Sequence, residues 1–106
     1  MSFCAAQQVL DHFRDRFIRE VDATIIVREL EYHGIISDGV RQEVTAVSGS
    51  VVQNQTLHAH LVRTCTKKAL MSVSEVMVAV EGNPKMKALG EEMRSLLRGK
   101  CCVFIQ

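Results

Sequence analysis

From Val9 to Leu97 the apolar residues return at every third or fourth position, which is the period of helices that each bury one side. Alternation at every second position, the mark of a half-buried strand, is confined to Val76, Val78 and Val80. There the neighbouring Ala69, Leu70, Met71 and Glu75 favour helix. Val9, Leu10, Phe13, Phe17, Ile18 and Val21 make the first stripe, with Asp11, Arg14, Asp15, Arg16, Arg19 and Glu20 on the other side. This predicts a first helix over about residues 5–21. Asp22 is placed to cap a second helix through its carboxylate. Ile25, Ile26 and Leu30 are its stripe, and Gly34 fits the position just past its end. Ser37 can cap a short third helix bearing Val40, Val44 and Val47, although Gly39 weakens that helix.

Residues 48–53 read as the longest turn, with Ser50 the earliest start of the next helix. Leu57, Leu61 and Cys65 mark the fourth helix. Leu70, Val73, Val76, Met77 and Val80 mark the fifth. Gly82-Asn83-Pro84 is the clearest punctuation. Asn83 fits a cap, and Pro84 fits the first helical position, where a missing N–H costs nothing. Met86, Leu89, Met93, Leu96 and Leu97 then carry a sixth helix that Gly99 is expected to end.

Helices this short do not stand alone in water, so they must pack on one another. At 106 residues the chain fits one domain. The expected architecture is all-α, a six-helix antiparallel bundle over residues 1–99 with a short tail over 100–106. With no Trp and one Tyr, its core must be aliphatic, helped by four Phe.

The same residues exclude most chemistry. There is no Gly-rich phosphate loop. His58 and His60 are two apart, on different sides of a helix, and no Cys-x-x-Cys exists, so neither a metal nor a cofactor is expected. His12, His33, His58 and His60 read as surface or boundary residues, and Cys65 as a small core hydrophobe. No base and cleft can be assigned to a nucleophile, so the chain is not expected to be an enzyme and no catalytic residue is named. A formal charge of +1 and few aromatic residues argue against nucleic acid. No apolar run approaches a membrane span, and the opening Met1-Ser2-Phe3-Cys4 is not a secretion signal, so a cytoplasmic chain with reduced thiols is expected. The sequon Asn54-Gln55-Thr56 then means nothing. In the tail, Cys102 is fifth from the end where a prenylation box needs Cys fourth from it. A small lipid-anchored protein using Cys101-Cys102 and the basic end is therefore an alternative rather than the reading adopted.

Six short helices in about 100 residues, with a charged and aromatic first helix (His12 to Val21), resemble a caspase recruitment domain of the death-fold superfamily. The glycine-aliphatic-aliphatic-Ser turn Gly34-Ile35-Ile36-Ser37, the basic pair Lys67-Lys68 and the Asn83-Pro84 turn with its Leu-rich helix carry the resemblance over roughly residues 8–97. The sequence departs from the family at Ala69, where a glycine usually follows the basic pair. Gly49 to Asn54 looks like the matching stretch of some initiator-caspase prodomains. The resemblance implies Greek-key topology and homotypic binding to another such domain, in a caspase, an adaptor or a nucleotide-binding sensor of apoptotic or inflammatory signalling. A domain of this kind that binds but blocks growth would be a decoy.

In that family a basic face of helices one and four meets an acidic face of helices two and three. Charge here is split along the chain: residues 1–53 hold five basic and eight acidic groups, residues 54–106 eight basic and four acidic. The resemblance puts Arg14, Arg16, Arg19, Arg63, Lys67 and Lys68 on the basic face, and Glu29, Glu31, Asp38 and Glu43 on the acidic one. Contact between unlike faces is head-to-tail and propagates into a filament unless rotation closes it. Reversing Arg16 or Arg63 is expected to abolish association without unfolding the bundle.

Overall fold

In the computed structural model, residues 2–100 are described, with side chains from 6 to 99. Seven α-helices follow one another: α1 (Ser2–His12), α2 (Arg14–Glu20), α3 (Ala23–Tyr32), α4 (Asp38–Ala46), α5 (Ser50–Thr64), α6 (Lys67–Ala79) and α7 (Pro84–Ser95). A π-helical turn, Leu96–Lys100, continues α7. No strand occurs among the described residues, so the fold is all-α. The tail cysteines Cys101 and Cys102 lie outside the described residues.

The expected first helix is two helices, broken at Phe13 (φ −98°, ψ 13°). The cause is His58, far along the chain. A continuous helix would give the Leu10 carbonyl to the Arg14 N–H, but that carbonyl instead accepts from the His58 ring at Nε2, 2.8 Å away. A side chain inserted into the hydrogen-bond ladder is a recognised cause of a helix break. Both halves keep the predicted stripe buried: Val9, Leu10, Phe13, Phe17, Ile18 and Val21 are all inside.

Chain ends of the helices follow the predicted chemistry in most places. Past α3, Gly34 takes φ 77°, its N–H bonds the Glu31 carbonyl at 3.0 Å, and the next N–H, of Ile35, bonds Leu30 at 2.8 Å. These paired bonds close the helix through a left-handed residue that glycine occupies without strain. The Ser37 hydroxyl accepts from the Val40 N–H, and Asn83 accepts from Met86 with Pro84 at the first turn. Thr66, not foreseen, caps α6 by accepting from Ala69. α5 does begin at Ser50, so the long turn is shorter than residues 48–53 suggest. Gly99 does not end the last helix: the α geometry stops at Ser95 and the chain coils on through Gly99 in the π turn.

Asp22 does not cap α3 with its side chain. Its carboxylate accepts from the Thr24 hydroxyl at 2.8 Å, and the helix's first free N–H, of Ala23, goes to Asn54 Oδ1 at 3.2 Å. α5 therefore runs antiparallel to α1 and α2. Asn54 meets Ile18 and Val21, His58 meets Leu10 and Phe17, and the Gln7 amide reaches the Val62 carbonyl at 3.0 Å. The core between these helices, α6 and α7 is the aliphatic one expected, centred on Phe17, Leu30, Leu57, Leu61, Leu70 and Leu89.

Candidate functional site

The ten residues expected to meet a partner fall in unequal circumstances. On α2 each residue turns about 100° from the last, so Arg14 and Arg16 point to opposite flanks. Arg16 crosses to α7, with its guanidinium 2.9 Å from Glu92 and 3.4 Å from Glu20. The hydrogen bond to Glu92 is the main cause that raises the Arg16 pKa above its ordinary value. This arginine is half-buried and internally matched. Arg14, about half exposed, has only a loose contact of 3.9 Å with Asp15. Arg19 is exposed and has no ion partner within 4 Å among the described residues.

The other basic residues gather where α5 ends and α6 begins. Arg63 is exposed and donates to His60 Nδ1 at 3.2 Å. Lys68 is exposed and Lys67 half-buried. Because α5 is antiparallel to α2, this corner lies toward the start of α1, at the far end of α5 from Arg19. The structure thus places Arg63, Lys67 and Lys68 at one corner, leaves Arg14 near His58 at the middle of α5 and Arg19 toward its start, and turns Arg16 away.

On the acidic side, Arg41 of α4 ties two of the four acids. It lies 2.6 Å from Glu31 and pairs with Asp38, bridging α3 to α4. The Arg41 hydrogen bond is the first cause holding the Asp38 carboxylate below its usual range. Glu43 stands 3.3 Å from Nε2 of the His60 ring. Glu29 alone of the four has no ion partner within 4 Å among the described residues; it lines a groove of about 740 Å³ between α3 and α6. Thr24, Ile25, Arg28, His33, Ser72, Glu75, Val76, Ala79 and Val80 complete that groove. Its edge holds Ile25, an aliphatic side chain left 44% exposed.

Three buried polar residues were missed as such, Asn54, His58 and Ser74. Asn54 is 2% exposed and His58 6% exposed, so His58 is not the surface or boundary residue expected. A signal exists: the buried stripe Leu57, Leu61, Cys65 extends backward by helical steps onto positions 54 and 58. Burial pushes the His58 pKa below its ordinary value, the carbonyl bond to Leu10 opposing it. The folded chain therefore prefers neutral His58, and the unfolded chain binds its proton at higher pH. Stability linked to this group is complete above the unfolded value of about 6.5 and is lost as pH falls below it. In urea titrations at pH 7.5 and 5.0, wild type will lose more stability between the two than a His58→Gln variant; equal losses would refute the assignment.

Cys65 is buried and its thiol is pushed up to about 12 by that burial, the opposite of an activated thiolate. No cluster of three metal-ligating side chains occurs among the described residues, and no described helix is long and apolar enough to cross a membrane. Asn54 of the sequon spends its amide on three internal hydrogen bonds. No protein-family model matches the chain, and no curated protein and no solved structure matches it either.

Proposed function

We propose that the chain is a non-enzymatic interaction module of the caspase-recruitment type. In this reading it has the family's Greek-key six-helix topology, with α1 and α2 together as the first helix. It works in the cytoplasm, docking on another such domain in a caspase, adaptor or nucleotide-binding sensor, and on copies of itself head to tail. The observation that carries the reading is the separation of uncompensated charge. The α5–α6 corner presents Arg63, Lys67 and Lys68 with no acid on α5, while Glu29 stands free on α3. Exposed pairs are worth about 0–1 kcal/mol each, so assembly would sum many weak contacts and respond to salt. Complementary faces would also set the partner and the encounter rate.

Sedimentation velocity across protein concentration, at low and high salt, tests this. Large species that dissolve at high salt are expected, and Arg63→Glu is expected to leave a folded monomer. Lys87→Glu, an equal charge change on exposed α7, should assemble as wild type does. If Arg63→Glu assembles normally, the basic face is wrong. Arg16→Glu is a poor probe, because it would set three carboxylates together with Glu20 and Glu92 and so disturb the bundle itself.

A further inference from the structure

Resting on that reading, we infer that the acidic side of the self-contact is the α3–α6 groove rather than the α3–α4 surface, and that its occupant is the α5–α6 corner of a second copy. The α3–α4 carboxylates are already engaged within the chain. Arg41 pairs with both Glu31 and Asp38, and Glu43 sits against His60. In the groove, Glu29 from α3 and Glu75 from α6 have no ion partner within 4 Å among the described residues. Arg28 also lines it, so its acidic side chains outnumber its arginine two to one.

The groove's apolar residues fit the same visitor. Ile25, Val76 and Val80 lie between the two carboxylates' helices. Lysine and arginine lay their methylene stems along apolar surface and keep their charged heads in polar surroundings. The corner of a second copy brings three such side chains, Arg63, Lys67 and Lys68, so stems would cover the aliphatic residues while heads reach Glu29 and Glu75. An antiparallel pairing of two α6 helices could join Lys68 to Glu75 twice and close as a dimer, since the two lie seven residues apart on one side of α6. It would leave Glu29, on α3, and Arg63, on α5, unmatched, so the head-to-tail arrangement is the one the charges favour.

Sedimentation velocity with charge-swapped chains distinguishes these, with circular dichroism confirming each fold. Glu75→Lys and Ile25→Lys should each weaken self-association at least ~tenfold, because like charge across an interface costs several kcal/mol. Glu31→Lys and Glu43→Lys should weaken it less. Mixing Glu75→Lys chains with Lys68→Glu chains should restore assembly that neither shows alone, which a merely structural effect would not do. Wild-type growth that survives Glu75→Lys but not Glu43→Lys would overturn the groove assignment and leave the proposed function standing. Assembly that stops at two copies would overturn the head-to-tail arrangement, and a wild-type monomer at every concentration would overturn both this inference and the reading beneath it.

Discussion

Replacing Asn54 by leucine will cost the protein about 3–5 kcal/mol, out of the roughly 5–15 kcal/mol that hold a domain together. The residue looks dispensable in sequence, one polar side chain among Gln53, Gln55 and Thr56. In the fold it serves both ends of a sharp corner. Its Nδ2 donates to the carbonyls of Ile18 and Val21, each at 2.7 Å, and its Oδ1 accepts from the Ala23 N–H at 3.2 Å. Those three backbone groups have nowhere else to turn. Ile18 would ordinarily receive the N–H of Asp22, but that N–H points to the Met86 sulfur at 3.4 Å. Val21 would receive the N–H of Ile25, which bonds Asp22 instead. Ala23 opens α3 and has no preceding turn to bond.

Leucine has nearly the shape of asparagine but satisfies none of the three. Each buried polar group left without a partner costs about 1–3 kcal/mol, and relaxation at the corner recovers part of the sum. Asn54→Asp should be comparably harmful at pH 7, because it keeps the acceptor for Ala23 but sets a carboxylate against two carbonyl oxygens. Gln55→Leu, on the exposed neighbour, should change stability by no more than about 0.5 kcal/mol. Urea unfolding followed by circular dichroism reads all three. An Asn54→Leu midpoint equal to wild type would mean that water reaches the corner and that the amide is not its keystone.

What could be read in the sequence and what could not divides by distance along the chain. The Ser37 and Asn83 caps, Pro84 and the Gly34 turn depend on residues within about one helical turn and are as expected, as are the stripes except at Ile25, which is left exposed. The break at Phe13 depends on His58, and the start of α3 on Asn54, each far away in sequence. Asp22 has the right chemistry for a cap, but its carboxylate is taken by Thr24. The candidate interface suffered in the same way. Counting charges along the chain cannot show that Arg16 is committed to Glu92 on α7 or that Arg41 pairs with both Glu31 and Asp38. Glu75 reads in the sequence only as a helix former, and it is the packing of α6 that sets it in one groove with Glu29.

Gly90 presents the sharpest case of a residue whose sequence reading and packing point in opposite directions. In the middle of α7 it looks like a weakness, since glycine in a helix costs about 0.8–1 kcal/mol relative to alanine. In space it lies directly against α6. A Cβ placed there would stand 2.8 Å from the Ser74 carbonyl oxygen, 2.9 Å from the Met77 Cβ and 3.1 Å from a Val78 methyl. The first two of these atoms belong to the backbone or next to it and cannot rotate away, so the helices must move apart and open the core around Met77, Leu89 and Met93. Gly90→Val adds two methyls to that collision without alanine's gain in helix propensity. We expect it to lose about 3 kcal/mol or more, the upper part of the range for overpacked cores. Gly90→Ala should lose less, because its propensity gain offsets part of the strain. Gly39→Ala supplies the opposite sign: a Cβ there meets only the Ser37 hydroxyl at 3.8 Å, so it should stabilise the chain by a few tenths to about 1 kcal/mol. Thermal and urea unfolding of the three variants will show whether the order holds. A Gly90→Ala protein as stabilised as Gly39→Ala would mean that α6 and α7 can separate freely and that their close approach does not hold the bundle.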